Sequence, residues 1–150
     1  MKRRTLLKTS LAAGVVASAG MLVPGRAFAA YPTAAFENKD PLQAIAGAMG
    51  SSDMADSGDI EIKAPEIAEN GAVVPIQITS GIAGTEAISL VVDSNPTPMA
   101  ATFNLHGSEA FVSIRVKMRK TSDVRAVVKA GGKLYVAKQE VKVTIGGCGG

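Results

Sequence analysis

The chain has 150 residues, a formal net charge of +3 and a single cysteine. That length suits one domain and is short for two. One cysteine excludes an internal disulfide, a Cys-x-x-Cys redox pair and a Cys-x-x-Cys-His haem site, and the chain holds only one histidine. Aromatic residues make up 4% of the chain, so a core must be built mainly from Val and Ile.

Residues 1–29 read as a leader rather than as fold. Lys2-Arg3-Arg4-Thr5-Leu6-Leu7-Lys8 forms a basic head, Leu11 to Val23 an uncharged apolar run, and Ala27-Phe28-Ala29 a small-x-small cleavage site. The run has 13 residues, short of the roughly 20 that a membrane-spanning helix needs. No membrane span is therefore expected after cleavage. The paired arginines resemble a twin-arginine signal, which addresses folded proteins for export to the periplasm. Five of the 16 basic residues (Lys2, Arg3, Arg4, Lys8, Arg26) and no acid lie in this leader. Cleavage after Ala29 leaves 11 basic and 13 acidic residues, a net charge of −2. The basic balance belongs to the precursor and gives no argument for nucleic-acid binding.

The domain is expected over residues 30–145. Residues 30–39 read as an irregular lead-in. Asp40-Pro41-Leu42 then starts a helix, with Asp as cap and Pro at the first helical position. Leu42, Ile45, Ala46 and Met49 give it one apolar stripe, and Gly50 can close it. Residues 51–58 form a polar loop, the best candidate for mobility within the domain. From Ile60 the apolar period changes to two. Ile60 and Ile62, then Val74, Ile76 and Ile78, then Ile88, Leu90 and Val92 alternate, with an Asn70-Gly71 turn between the first two runs. Asn95-Pro96-Thr97-Pro98 breaks the chain before a short strand from Ala101 to Leu105. Val112, Ile114, Val116 and Met118 alternate with polar residues, and Val124, Ala126 and Val128 follow. Gly131-Gly132 marks a hairpin turn before a strand at 134–137, and Val141, Val143 and Ile145 form the last strand. Seven short strands with Gly, Pro and Asn turns predict a mostly β fold. The expected architecture is an immunoglobulin-like antiparallel β-sandwich with one N-terminal helix and a flexible C-terminal tail.

Residues 146–150 read as a slim, flexible arm. Gly146, Gly147, Gly149 and Gly150 surround Cys148. Glycine has no side chain and few conformational limits, so such an arm can carry a thiol into a narrow channel but cannot supply a shaped pocket. Three other readings compete. A thiol-dependent redox enzyme or sulfurtransferase lowers its cysteine pKa with a fixed cation or a helix N-terminus, and glycine neighbours provide neither. A copper-binding β-sandwich would have to use Met54, Met99 and His106, which show no ligand spacing. A purely structural β-sandwich leaves the cysteine unexplained.

Cations cluster late in the chain: residues 30–110 hold 11 acids against Lys39 and Lys63, whereas residues 111–150 hold nine bases against Asp123 and Glu140. Arg115, Lys117 and Arg119 are expected on the outward face of one strand, with Arg125, Lys129 and Lys142 outward on neighbouring segments. The plain reading is a solvated polar face. The functional reading is an electropositive surface that steers anions or meets an acidic partner.

The segment from Val141 to Gly150, Val-Lys-Val-Thr-Ile-Gly-Gly-Cys-Gly-Gly, resembles the hallmark tail of the SoxY family of thiosulfate-oxidation carriers. Asp40-Pro41, residues 65–71 with Val74-Pro75, Asn95-Pro96-Thr97-Pro98 and the segment from Arg115 to Lys120 also match that family. Asp93-Ser94 departs from the Glu-Lys expected there. The resemblance implies covalent sulfur attachment at Cys148, no cofactor of the chain's own and a heterodimer with a SoxZ-like subunit. It further implies a SoxAX-like cytochrome that loads thiosulfate, a SoxB-like hydrolase that releases sulfate and, in some organisms, a SoxCD-like sulfane dehydrogenase. These partners would do the catalysis; the chain itself would be a carrier.

Overall fold

The computed structural model describes residues 31–144. The expected leader (1–29), Ala30, Ile145 and the expected glycine arm with Cys148 (146–150) lie outside the described residues.

The expected irregular lead-in contains a short helix, α1 (Thr33–Glu37). Five residues make little more than one turn, too few to show a helical period. Its Ala35 is buried and packs on Gly47, where an added Cβ would come within 3.1 Å of the Ala35 Cβ. The next helix, α2 (Pro41–Met49), begins and ends where its caps dictate. Asp40 Oδ1 accepts a hydrogen bond from the Gln43 amide at 2.9 Å, and Pro41 takes the first turn, where no amide donor is required. Gly50, at φ +87°, closes the helix by donating to the Ala46 carbonyl at 2.9 Å. The buried side is Ala44, Ile45 and Met49, whereas Leu42 stays 46% exposed. The inward stripe is thus rotated from the one expected, because Ala44, Ile45 and Met49 are the residues that pack on the sheet, and Leu42 lies outside that cluster.

Nine strands follow among the described residues: β1 (Met54–Asp56), β2 (Ile60–Lys63), β3 (Ile67–Ala68), β4 (Val74–Ser80), β5 (Thr85–Val92), β6 (Met99–Asn104), β7 (Phe111–Val116), β8 (Ser122–Ala130) and β9 (Lys133–Val143). They form the expected sandwich. One sheet runs β1-β9-β8-β5-β6 with β3 also on β9, and the other runs β2-β4-β7. Three details differ from the sequence reading. Residues 51–58 are not all loop, because Met54–Asp56 pairs with Leu134–Val136. The two strands expected at 134–137 and from 141 onward are one strand of 11 residues, β9. The pairings of β1 and β3 with β9 are parallel, in an otherwise antiparallel sandwich.

Two apolar layers hold the domain together. Between the sheets, Val74, Ile76 and Ile78 of β4 and Val112 and Val116 of β7 meet Ile88, Leu90, Val124, Ala126, Val128 and Val141 of the larger sheet. On the far side of that sheet, Ala87, Val91, Val127, Leu134 and Val136 meet Ala44, Ile45 and Met49 of α2. Each fully buried Val, Leu or Ile contributes about 1.5–3 kcal/mol of transfer free energy. Strands β5 and β8 are therefore covered on both faces, which explains their nearly continuous apolar runs. The β8–β9 hairpin turns on Gly131 and Gly132, at φ +56° and +74°. A two-residue loop with both φ positive is the type I′ turn that matches strand twist.

Candidate functional site

Strand β9 leads directly to the cysteine, so the site is built where that strand ends. Its final residues are held on two sides. The Lys142 amide donates to the Glu66 carbonyl at 2.9 Å, and the Thr144 amide donates to the Ala68 carbonyl at 3.2 Å, both across the β3 pairing. The Val143 amide donates to Thr121 Oγ1 at 3.0 Å. Thr121 belongs to the connection between β7 and β8, so that connection and β3 together fix the root of the arm. Cys148 follows Thr144 by four residues, a reach of at most about 14 Å along an extended chain.

The same β7–β8 connection carries part of the cationic cluster. Strand β7 stops at Val116, so Lys117 and Arg119 do not continue Arg115 along one strand as the alternation implied. They still face solvent, because Met118 between them is fully buried and its amide donates to the Gly71 carbonyl at 2.7 Å. The Asn95 side chain clamps the segment: Nδ2 donates to the Lys117 carbonyl at 2.7 Å, and Oδ1 accepts from the Arg119 amide at 3.2 Å. Arg115, Lys117 and Arg119, with Asn95, Thr97 and Ile114, line an open cavity of about 440 Å³ between β6 and β7.

The other three cations, Arg125, Lys129 and Lys142, lie on a different face from Arg115. Arg115 lies on the outer face of the small sheet, since its neighbours Ile114 and Val116 point into the core between the sheets. Arg125, Lys129 and Lys142 lie on the outer face of the large sheet, since Val124, Ala126, Val128 and Val141 point into that same core. A single basic face of six residues does not form. Arg125 is neutralised: its Nε and Nη2 reach Asp93 Oδ2 at 2.8 and 2.6 Å. Lys129 Nζ reaches the Met49 carbonyl at the end of α2 at 3.5 Å, where a cation favours the helix dipole. Lys142 is exposed beside Ile67, at the arm's root.

Among the described residues, no three His, Cys, Asp or Glu side chains gather as a metal-ligand set. Met49, Met54 and Met99 pack between α2 and the sheet, while His106 is exposed after β6. No described helix is long and apolar enough to cross a membrane.

The family model described as "Sulfur oxidation protein SoxY" matches residues 45–148, a span that takes in every strand and the cysteine. The chain belongs to the SoxY family. A solved structure of the sulfur carrier protein SoxY from Chlorobium limicola f thiosulfatophilum is 49% identical. It superposes with a TM-score of 0.63 over 69% of this chain and 94% of that one. An endo-β-1,4-mannanase from Thermotoga petrophila also aligns, at 12% identity and a TM-score of 0.44, over 68% of this chain and 22% of that one, a likeness too weak to bear on function. No curated protein matches significantly. Two SoxY residues at this site had no chemical signal in the sequence. Thr121 and Asn95 act through hydrogen bonds to backbone, which only the folded neighbours reveal; Asn95 was visible solely as part of the Asn95-Pro96-Thr97-Pro98 match.

Proposed function

We propose that this SoxY chain is a periplasmic sulfur carrier that holds thiosulfate-derived sulfur covalently on Cys148 and has no catalytic activity of its own. One observation carries the reading: the end of β9 is anchored to β3 through Lys142 and Thr144, and the only cysteine follows Thr144 by four residues, between glycines. A fixed root and a thiol flanked by glycines suit presentation of cargo to an enzyme's channel. The family resemblance supplies the cycle. Joining the Cys148 thiol to thiosulfate gives a cysteine S-thiosulfonate, a proton and an electron pair, which a SoxAX-like cytochrome would accept. Water then attacks the terminal sulfur in a SoxB-like hydrolase, releasing sulfate and a proton and leaving a persulfide on Cys148. A SoxCD-like sulfane dehydrogenase, where present, would oxidise that sulfur for a further hydrolysis. A SoxZ-like subunit would complete the carrier, and the twin-arginine leader would export the pair folded.

The test is the intact mass of the protein purified from the periplasm of cells oxidising thiosulfate, before and after a reductant. The expected result is a chain starting at Ala30-Tyr31-Pro32 whose added sulfur is removed by reductant. Thiosulfate oxidation should be lost in Cys148→Ser. An unshifted thiol mass, or normal oxidation by Cys148→Ser, would refute the carrier role, and a retained Arg3-Arg4 would refute the cleavage.

A further inference from the structure

The cavity between β6 and β7 opens at two free edges. Strand β6 ends the order of the large sheet and β7 that of the small one, so neither has a further strand partner there among the described residues. A free edge leaves backbone amides without strand partners. Arg115, Lys117 and Arg119 line this space beside Asn95 and Thr97, and no carboxylate is among its lining residues. None of the three cations forms an ion pair among the described residues. Asp93, the acid nearest to Asn95 in sequence, is already held by Arg125. A concave site with uncompensated positive charge favours an anion.

The cationic side is also fixed before any ligand arrives. Met118 is fully buried and its amide donates to the Gly71 carbonyl at 2.7 Å, so Lys117 and Arg119 turn outward on either side of it. Asn95 donates from Nδ2 to the Lys117 carbonyl and accepts the Arg119 amide at Oδ1. Three hydrogen bonds and one buried side chain therefore hold this backbone, which lowers the ordering cost of binding. Each arginine offers a planar fork that can pair with two oxygens of one anion, and the lysine adds a point charge. That set suits a small tetrahedral dianion rather than a monovalent halide. The volume of about 440 Å³ leaves room for such an ion with bridging waters.

We propose that this cavity is a non-covalent site for a free sulfur oxyanion, thiosulfate or sulfate. That the ion is a dianion follows from the charge of the cavity; that it carries sulfur rests on the carrier reading. Arg119 stands two residues from Thr121, which accepts the Val143 amide, so a short connection joins the site to the strand that leads to Cys148. Thiosulfate held there is concentrated near the root of the arm before any covalent step, and sulfate competes for the same place.

The test needs no partner enzyme. The full chain carrying Cys148→Ser forms no thiol adduct, so amide spectra of the labelled protein report free ions only. It is titrated with sodium thiosulfate and with sodium sulfate, against sodium chloride at equal ionic strength. The expected result is saturable shifts at Thr97, Lys117 and Arg119, with a Kd of about 1 mM at low salt that weakens as chloride is added. Tighter binding of thiosulfate marks a store of substrate, and tighter binding of sulfate a product site; either supports the proposal. Arg115→Gln/Lys117→Gln/Arg119→Gln should weaken binding by about tenfold or more, with its unfolding midpoint as the folding control. Lys133→Gln/Lys138→Gln, which removes two exposed cations of β9, should leave binding unchanged. Equal shifts with chloride, shifts that never saturate, or shifts as large around Lys133 and Lys138 as around Arg119 would overturn the site. Those outcomes are read with all the cations intact, so they decide the question even if the triple variant misfolds. A failed titration leaves the carrier role standing, since that is read separately from the sulfur mass on Cys148.

Discussion

Arg125 grips a single oxygen of Asp93 twice, from Nε at 2.8 Å and from Nη2 at 2.6 Å, tying β8 to the turn after β5. The pair is mostly covered, with 18% and 19% of the two side chains exposed, and the second carboxylate oxygen, Oδ1, is buried without a partner. Removing the guanidinium would leave a covered carboxylate with nothing to offset its desolvation. Arg125→Met should therefore cost about 2 kcal/mol, at the lower end for an ion pair because solvent still reaches it. Arg125→Lys, which keeps the charge but loses the fork, should cost less. Urea unfolding of both variants checks the order, and alkylation of Cys148 should proceed at an unchanged rate in each. A slower alkylation in Arg125→Met would return this residue to the arm's surroundings.

Asn95 bonds both the Lys117 carbonyl and the Arg119 amide. Asn95→Ala should cost about 1–2 kcal/mol, the sum expected for two part-exposed hydrogen bonds. Hydrogen exchange at the Arg119 amide should speed up more than the global loss requires, because the bond is local. Exchange that merely tracks global stability would show that the clamp is incidental.

In the β8–β9 hairpin, Gly131 and Gly132 both have positive φ. Asn suits the first such position of a type I′ turn, and it restricts the unfolded chain more than Gly does. Gly131→Asn should leave stability unchanged or raise it by up to about 1 kcal/mol. Gly132→Val should lower it by more than that, since a β-branched residue fits positive φ poorly. Thermal melts of the two variants should move in these opposite directions.

Thr121 accepts the Val143 amide at 3.0 Å. Thr121→Val removes the acceptor at nearly constant shape and should cost about 1 kcal/mol, whereas Thr121→Ser should retain most of it. The decisive measurement is amide exchange at Val143, which should rise in the valine variant alone.

The glycines around Cys148 should matter for access and little for folding. Gly147→Val/Gly149→Val adds stiff, branched bulk on both sides of the thiol. Loading and sulfate release by partner enzymes should slow, while a small thiol reagent should label Cys148 at nearly the normal rate and the unfolding midpoint should hardly move. Equal loss of reagent labelling would point to a chemical role instead.

Period-two alternation revealed β2, β4, β5 and β7 because one face of each strand meets the core between the sheets. Capping chemistry revealed α2 because Asp40, Pro41 and Gly50 act on their own neighbours in sequence. Met54–Asp56 was hidden, because its strand character comes from pairing with Leu134–Val136, far along the chain. Leu42 was misplaced for a related reason: which side of α2 turns inward depends on the sheet it meets. At the site, Cys148 stood out through composition alone. The grouping of Arg115, Lys117 and Arg119 at one cavity, and the diversion of Arg125 to Asp93, depend on strand ends and on loop contacts that no local pattern encodes.

Strand β9 is flanked by β8 on one side and by β1 and β3 on the other, so it closes the large sheet although it is made after every other strand. A chain still on the ribosome and lacking residues 133–143 has β1 and β3 without partners and leaves Val124 and Val128 beside an open edge. Such contacts are long-range, and their loops must close before any stabilisation is gained. The sandwich therefore assembles only once the segment leading to the thiol has been made. A chain stopped before β9 should therefore be unfolded and open to proteases, rather than persist as an intact body without the segment that leads to Cys148.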